Sequence, residues 1–286
     1  MNTSVDQDKK GDALKQQRFR MLEDIAAEIS SEVVFPTYFD AVVKLRNELR
    51  NPDVSTERIV SLVRAEPLVS ARLLHLANAA AQGNTGEIRD LGKAIVRLGV
   101  NTVRTTALTV AMTQLVRSKE LVPFSDLSRT LWQHSVFTAA AASVIARELA
   151  PRINPDEALT AGLLHDLGAF YMLYRAAQYH ELRARPDTVR YLISQWHESI
   201  GESLLFALQL PESLIEAIRD HDTPRDLMEH APHTLSDVVY AANALGRGAF
   251  EWREESGQPR LLGQRYLDLN EQVIAEFNAL RAEYAA

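Results

Sequence analysis

The chain has 286 residues and an apolar content of 46%, which is enough to bury a sizeable core in one large domain or two ordinary ones. It contains no cysteine, and this excludes disulfides, thiolate nucleophiles and cysteine-ligated zinc. The net charge of −7 opposes the attraction to phosphate on which nucleic-acid binding depends, so we expect no nucleic-acid partner.

Membrane insertion is also not expected. Charges interrupt the longest apolar stretches before they reach the roughly 18 residues that a membrane helix requires. Met1 opens a polar segment that lacks the apolar centre of a signal peptide. Together with the absence of cysteine, these features predict a cytoplasmic protein without a membrane partner.

The first part of the chain, residues 1 to about 11, is polar and charged, which predicts a mobile tail. The next segment carries Met21 and Ile25 in a helical pattern. Apolar residues then keep recurring at helical spacing, and the alternation typical of strands is scarce. The predicted fold class is therefore all-α, a multi-helix bundle.

Several helix boundaries are marked by residues that favour them. Pro67 fits the first position of a helix, and Asp90 fits the cap of a helix that ends at Gly99. Asn154-Pro155-Asp156 combines a cap, a proline at the first helical position and an acid in the first turn. The last segment, Leu269 to Tyr284, has the pattern of an amphipathic helix.

The residues most able to carry chemistry lie in the second half of the chain. They are His134, the adjacent pair His165-Asp166, His197 and His221. Neutral imidazole and carboxylate are natural ligands for Mn, Fe, Ni, Zn or Mg, and helices can present them to one another in the core of a bundle. His165 and Asp166 end an apolar helical segment just before Gly168. We expect the backbone to turn at Gly168 and both side chains to converge on one ion.

Residues 162–168, Gly-Leu-Leu-His-Asp-Leu-Gly, resemble the motif of the HD superfamily of metal-dependent phosphohydrolases. The pattern of that superfamily is a first His, a His-Asp pair and a later Asp. His134 matches the first His, and His165 and Asp166 match the pair. The surrounding sequence is similar to the HDOD family, a regulatory relative of the HD domain, from about residue 30 to residue 248. The similar segments are Phe35-Pro36, Glu66–Asn78, Lys93–Gly99, His197–Gly201, Leu210-Pro211 and Ala217–His221.

This resemblance implies a domain organisation. We expect a mobile tail and the start of the first helix in residues 1–18, followed by an HDOD domain in residues 19–250. That domain would consist of two helical lobes, residues 19–122 and an HD-like lobe of residues 123–250. Residues 251–286 would form a C-terminal extension with a terminal helix.

The chain departs from the superfamily at its last metal ligand, where Asn243 replaces the Asp. An amide oxygen can bind a hard cation but carries no charge. The resemblance therefore implies a weakened metal site at His134, His165, Asp166 and Asn243. The exchange Asn243→Asp is expected to tighten metal binding if Asn243 faces the other three residues.

The chain also departs from the related HD-GYP cyclic-dinucleotide phosphodiesterases. Those enzymes carry a Lys, a second His and a Gly-Tyr-Pro motif where this chain has Ala169, Asp222 and Thr223-Pro224. Hydrolysis of cyclic di-GMP is therefore not expected. His197 and His221 leave a second metal or ligand site open.

Alternatives remain at several points. Phe170 and Tyr171 either line a ligand pocket beside the His-Asp pair or belong to the core. The histidines and Asp166 bind a metal with slow or no chemistry, form a hydrogen-bonded polar cluster without metal, or serve a working hydrolase. We expect a bacterial signal-transduction module that binds signalling proteins in trans or a small ligand, and we assign no catalytic residue. The competing function is a metal-dependent phosphohydrolase acting on a phosphomonoester or a nucleotide.

Overall fold

The structure, a computed structural model, describes residues 12–30, 39–49, 51, 53–79, 88–225, 230–250, 252 and 262–285. The predicted mobile tail at residues 1–11 and the Phe35-Pro36 pair lie outside these ranges. Most described residues are helical, and none of them belongs to a β-strand, which confirms the all-α prediction. None of the described helices is both long and apolar enough to cross a lipid bilayer.

The helices follow one another in this order: α1 (Asp12–Ser30), α2 (Asp40–Glu48), α3 (Thr56–Arg64), α4 (Pro67–Ala79), α5 (Leu91–Val116), a 3-10 helix (Lys119–Phe124), α6 (Ser125–Leu149), α7 (Pro155–Leu164), α8 (Leu167–Ala176), α9 (His180–Arg183), α10 (Pro186–Ala207), α11 (Glu212–Ile218), α12 (Leu235–Phe250), α13 (Gln264–Leu267) and α14 (Asn270–Ala285).

The helix starts predicted at Pro67, Asp90 and Asn154 are present in the structure. Pro67 is the first residue of α4, and Asn154 caps α7 by accepting a hydrogen bond of 2.8 Å from the backbone N–H of Asp156. Asp90 caps α5 in the same way, with 2.8 Å between its Oδ1 and the backbone nitrogen of Lys93. Gly99 interrupts α5 with a φ of 80°, in the left-handed region that favours glycine.

The chain divides into two compact units. The histidine unit comprises Met1–Val33, Val116–Phe206 and Glu212–Ala286, and the apolar unit comprises Val34–Leu115 and Ala207–Pro211. This grouping differs from the predicted lobes in the place of α1, which the prediction assigned to the first lobe. Helix α1 contacts α9 of the histidine unit, and Arg18 donates a hydrogen bond of 3.0 Å to the hydroxyl of Thr188 in α10. The domain limits at residues 19, 122 and 250 stay predictions.

Helix α6 is the centre of the histidine unit. It packs against α7, α12 and α14. Its segment Ala139–Ala142 is fully buried, and such small side chains allow neighbouring helices to approach closely. Helix α14 adds Val273, Phe277 and Leu280 to the same core, so the predicted terminal helix is part of this unit.

Candidate metal centre

The structure brings all the candidate metal ligands of the sequence analysis together in the histidine unit. His134 lies in the middle of α6, His165 and Asp166 lie between α7 and α8, and His197 lies in α10. His221 follows α11, and Asn243 lies in α12. None of these six residues is more than 2% exposed. Burying so many polar groups is costly unless they satisfy one another or bind an ion.

Gly168 is essential here for a reason other than the one predicted. The break between α7 and α8 falls at His165 and Asp166, and Gly168 lies inside α8 rather than at a turn. A Cβ on Gly168 would lie 2.0 Å from the carbonyl oxygen of His197 and 2.6 Å from the backbone nitrogen of Gly201. Glycine is therefore required for the close approach of α8 to α10, which brings His197 to Asp166.

The ligand atoms form two groups that share Asp166. In the first group, the Nε2 atom of His134 lies 3.2 Å from the Nε2 atom of His165 and 3.0 Å from the Oδ1 atom of Asn243. The Oδ2 atom of Asp166 lies 3.2 Å from the Nε2 atom of His165 and 3.8 Å from that of His134. These are the four residues predicted as the metal site.

The second group contains the Oδ1 atom of Asp166 and the Nε2 atoms of His197 and His221. The two nitrogens are 3.3 Å apart, and they lie 3.5 Å and 3.4 Å from the oxygen. The Oδ2 atom of Asp222 completes the group, 3.2 Å from the Nε2 atom of His197. Sequence reasoning treated Asp222 only as the loss of a histidine; the one signal that pointed to it was its position next to His221.

The hydrogen bonds of three histidines fix their tautomers. Each of them has its Nδ1 atom close to a backbone carbonyl three or four residues earlier. The pairs are His165 with Gly162 at 2.7 Å, His197 with Ile193 at 2.9 Å, and His221 with Ile218 at 2.7 Å. Because a carbonyl can only accept, each Nδ1 carries the proton, and in the neutral ring the Nε2 lone pair points into the centre.

His134 differs from these three. Its Nδ1 atom is buried and has no hydrogen-bond partner in the described parts of the chain. Its Nε2 atom lies 3.0 Å from an amide oxygen, that of Asn243, which can only accept. The tautomer that makes this hydrogen bond carries the proton on Nε2, and that proton occupies the position a metal ion would need.

Asp166 is held by a residue outside the predicted site. Its Oδ2 atom accepts a hydrogen bond of 3.0 Å from the indole Nε1–H of Trp252. Its Oδ1 atom is buried without a hydrogen-bond partner among the described residues. Such an atom costs about 1–3 kcal/mol if left unsatisfied.

Two ligands that each lie about 2.1 Å from one ion are roughly 3.0–3.4 Å apart. The spacing around Asp166 therefore fits a bound ion.

Asn243 connects the two groups through its amide. Its Nδ2 atom donates to the carbonyl oxygen of His221 at 3.1 Å and to the Oδ1 atom of Asp222 at 2.9 Å. The same carboxylate oxygen accepts from Arg247 at 2.5 Å. The amide orientation follows from these acceptors, and it turns the Oδ1 atom of Asn243 towards His134. No sequence signal singled out Arg247 or Trp252.

Both carboxylates of the centre are ionised in spite of their burial. Burial raises the pKa of Asp166, but the surrounding histidines, His165 first, outweigh it and hold this pKa well below its usual range. Burial also acts to raise the pKa of Asp222, and His221 is the largest of the influences that outweigh it and lower this pKa. The second group thus contains two negative charges. The first group contains only the charge of Asp166, which it shares with the second group.

The histidines of the two groups also differ in the direction in which their pKa values are shifted. Burial, reinforced by His165, lowers the pKa of His134 to about 3, so this ring is neutral at pH 7. Burial likewise acts to lower the pKa of His221, but Asp222 and Asp166 outweigh it and raise this pKa above its ordinary value. Positive charge is therefore favoured beside Asp222 and disfavoured beside Asn243.

Phe170 and Tyr171, the predicted pocket residues, are buried in the core of the histidine unit. The ring of Phe170 meets that of Trp132 edge to face, with 6.4 Å between the centroids. Their burial fits the second of the two alternatives, a place in the core.

An all-helical unit that gathers histidines and aspartates from separate helices and the junctions between them in its interior has the architecture of an HD-like domain. The model of the HDOD domain family matches residues 35–224. The chain belongs to this family.

One solved structure shows the same fold, and two further proteins are similar to this chain. A provisionally assigned metal-dependent phosphohydrolase from Shewanella amazonensis SB2B is 19% identical, with 94% of this chain and 99% of that chain covered and a TM-score of 0.65. An HDOD domain protein of unknown function from Geobacter sulfurreducens is 20% identical, with 94% and 96% covered and a TM-score of 0.49. An uncharacterised protein of Treponema pallidum (strain Nichols) is 25% identical over 228 residues, which are 76% of this chain and 43% of that protein. The chain thus spans less than half the length of that relative.

Proposed function

We propose that this chain is a regulatory HDOD module that binds a divalent metal ion in its buried centre and acts by binding signalling proteins or a small ligand rather than by hydrolysis. The observation that carries the proposal is a set of ligand atoms that is assembled but closed. His134, His165, Asp166, His197 and His221 are at most 2% exposed. Side chains buried to this degree leave little access for a substrate, whereas a catalytic metal site keeps one position open to water or substrate.

Trp252 closes the centre beside Asp166. Its indole donates to the Oδ2 atom of Asp166, and its ring stands perpendicular to that of His197, with 5.3 Å between the centroids. A hydrolase must admit a phosphate ester to the ion. In this chain Trp252 stands in the way of a substrate that approaches Asp166 from its side.

The residues that would hold the ion are those of the two groups, with Asp166 common to both. A bound ion would supply positive charge to the carboxylates and, in a hydrolase, would activate water. Helices α6, α10 and α12 and the α7–α8 junction all contribute side chains, so metal binding would join these helices in one arrangement. That arrangement would be the state that a partner or ligand recognises.

A second candidate function is a metal-dependent phosphohydrolase acting on a phosphomonoester or nucleotide. One observation favours it: two groups of ligand atoms share a single carboxylate, as in sites where two ions bind side by side. This candidate requires a path for the substrate to the buried centre, such as one opened by movement of Trp252.

The experiment combines elemental analysis with an activity assay. The full chain would be purified without nickel resin or chelator, and a His165→Ala variant would serve as the control. We expect the wild type to retain divalent metal and to cleave neither an aryl phosphate, an aryl phosphodiester nor cyclic di-GMP above the control when Mn, Fe or Zn is supplied. Turnover above the control would support the hydrolase instead, and a wild type that binds no metal would overturn the metal proposal.

A further inference from the structure

We infer that a single ion binds to the second group, formed by Asp166, His197, His221 and Asp222, and that Asn243 is a positioning residue for Asp222 rather than a metal ligand. The inference rests on the proposed metal binding and specifies its location. It also reverses the ranking suggested by the sequence, in which His134, His165, Asp166 and Asn243 formed the principal site.

The charges favour the second group. It contains the carboxylates of both Asp166 and Asp222, whereas the only carboxylate of the first group is the shared Asp166. Attraction between an ion and its ligands in a buried site increases with each negative charge. Relative to the HD pattern, position 243 lacks its negative charge, whereas Asp222 supplies one to the second group.

The hydrogen bonds favour the same group. In their neutral forms, His197 and His221 direct their Nε2 lone pairs into it, and the Oδ1 atom of Asp166 that faces them has no hydrogen-bond partner in the described ranges. In the first group the corresponding atoms are in use. Trp252 donates to the Oδ2 atom of Asp166, and the Nε2 atom of His134 is paired with the amide oxygen of Asn243. To release that nitrogen, His134 would have to place a proton on a buried Nδ1 atom for which no described residue provides an acceptor.

Asn243 is suited to its position because of Asp222. Both hydrogens of its amide are used, one by the carbonyl of His221 and one by the carboxylate of Asp222. In the variant Asn243→Asp, a carboxylate oxygen would replace the amide nitrogen. This oxygen cannot donate a hydrogen bond, and it would face the carbonyl oxygen of His221 and the carboxylate of Asp222 at about the same distances. We therefore expect this substitution alone to weaken metal binding, contrary to the expectation from the sequence.

The test compares two matched substitutions, His134→Gln and His197→Gln, in the full chain. Both histidines are buried in long helices of the same unit. Zn²⁺ and Mn²⁺ would be titrated into chelator-treated protein by calorimetry, after circular dichroism has shown that each variant is folded. Since loss of an outer hydrogen-bonding partner costs about 10–100-fold in metal affinity, loss of a ligand should cost at least about a hundredfold. We expect that loss for His197→Gln, less than about tenfold for His134→Gln, and one ion per chain in the wild type.

A second arm tests the positioning role of Asn243. The single variant Asn243→Asp should bind metal more weakly than the wild type. The double variant Asp222→Asn/Asn243→Asp returns the amide and the carboxylate to complementary positions, and it should recover binding that depends on His134. If His197→Gln fails to fold, Asp222→Asn replaces it as the variant of the second group.

The outcomes separate the two proposals. A wild type that binds neither ion overturns the proposed function and this inference with it. Metal binding that is lost in His134→Gln but kept in His197→Gln overturns the inference and leaves the metal proposal standing. Equal losses in both variants also overturn it, because they indicate an ion or ions held by both groups.

Discussion

The two compact units differ in what they bury. In the described part of the apolar unit, Thr106 is the one buried polar residue, and its hydroxyl carries no charge. The histidine unit is also built from helices, but the buried residues of its interior include four histidines, Asp166, Arg175 and Asn243.

This difference indicates which interior is built for packing and which for binding. Apolar burial alone can stabilise a helical unit, as the apolar unit illustrates, whereas buried ionised groups cost several kcal/mol each unless they are compensated. The histidine unit pairs most of these groups with one another, but the Nδ1 atom of His134 and the Oδ1 atom of Asp166 have no hydrogen-bond partner among the described residues, and this oxygen faces two histidines. Substitutions should therefore have larger effects near the centre than at comparable places in the apolar unit.

The largest difference is expected between two glycine substitutions. Gly168→Ala places a methyl group on the backbone of His197, so α8 must move away from α10 and the unfolding free energy should fall by about 3 kcal/mol or more. In Gly92→Ala, the control in α5, the new methyl would lie 3.2 Å from the Oδ1 atom of Asp90, a side-chain atom that has to shift by only a few tenths of an ångström, and a change within about 1 kcal/mol is expected. Urea denaturation followed by circular dichroism measures both. Equal effects would contradict the close helix contact.

The next effect is a pH dependence of the metal-free protein that originates at His134. Its folded-state pKa of about 3 lies below its ordinary value of 6.5. Above pH 6.5 neither state binds the proton, whereas between pH 6.5 and about 3 only the unfolded chain does, so stability should fall with pH in that window. The slope is at most about 1.4 kcal/mol per pH unit. His134→Gln should show a flatter profile in chelator, and an unchanged slope would contradict the prediction.

The features that could be predicted from the sequence depend on near neighbours. A proline or an asparagine marks the start of a helix within a few residues, which is why the beginnings of α4 and α7 were predictable. The His-Asp pair is a local motif, and it identified the place where α7 ends.

The features that could not be predicted depend on contacts between distant segments. Trp252 lies 86 positions from Asp166 in the chain, and the amide of Asn243 is oriented by an aspartate 21 positions away. The sequence indicated a turn at Gly168. The reason for glycine at this position is the close backbone of His197, which lies in another helix. The same holds for α1, whose contacts with α9 no local pattern indicated.

A smaller effect is expected from two tryptophan substitutions. Trp252→Phe removes the N–H that donates to Asp166 and leaves a buried carboxylate oxygen without it, which should cost about 1–3 kcal/mol in metal-free protein. Trp196→Phe is the matched control, since this side chain in α10 is 48% exposed, and its effect should stay within about 0.5 kcal/mol. Urea denaturation in chelator compares them. If the two variants are equally stable, Trp252 does not support the centre.

The smallest effects are expected at two helix caps, one in each unit. Asn154 caps α7 with a hydrogen bond of 2.8 Å to Asp156, and Ser55 caps α3 with one of 3.2 Å to Arg58. Replacement of either by Ala should cost about 1 kcal/mol, because one backbone N–H of the first turn loses its acceptor. Neither change should alter metal affinity more than about twofold, because the loss of a cap acts mainly on the first turn of its helix. The ligand His165 lies beyond the opposite end of α7. Urea denaturation measures the first quantity and calorimetric metal titration the second. A fall in metal affinity for Asn154→Ala but not for Ser55→Ala would show that the start of α7 also helps to hold the His-Asp pair. The difference between the two units would then include a residue at the surface of the histidine unit as well as its interior.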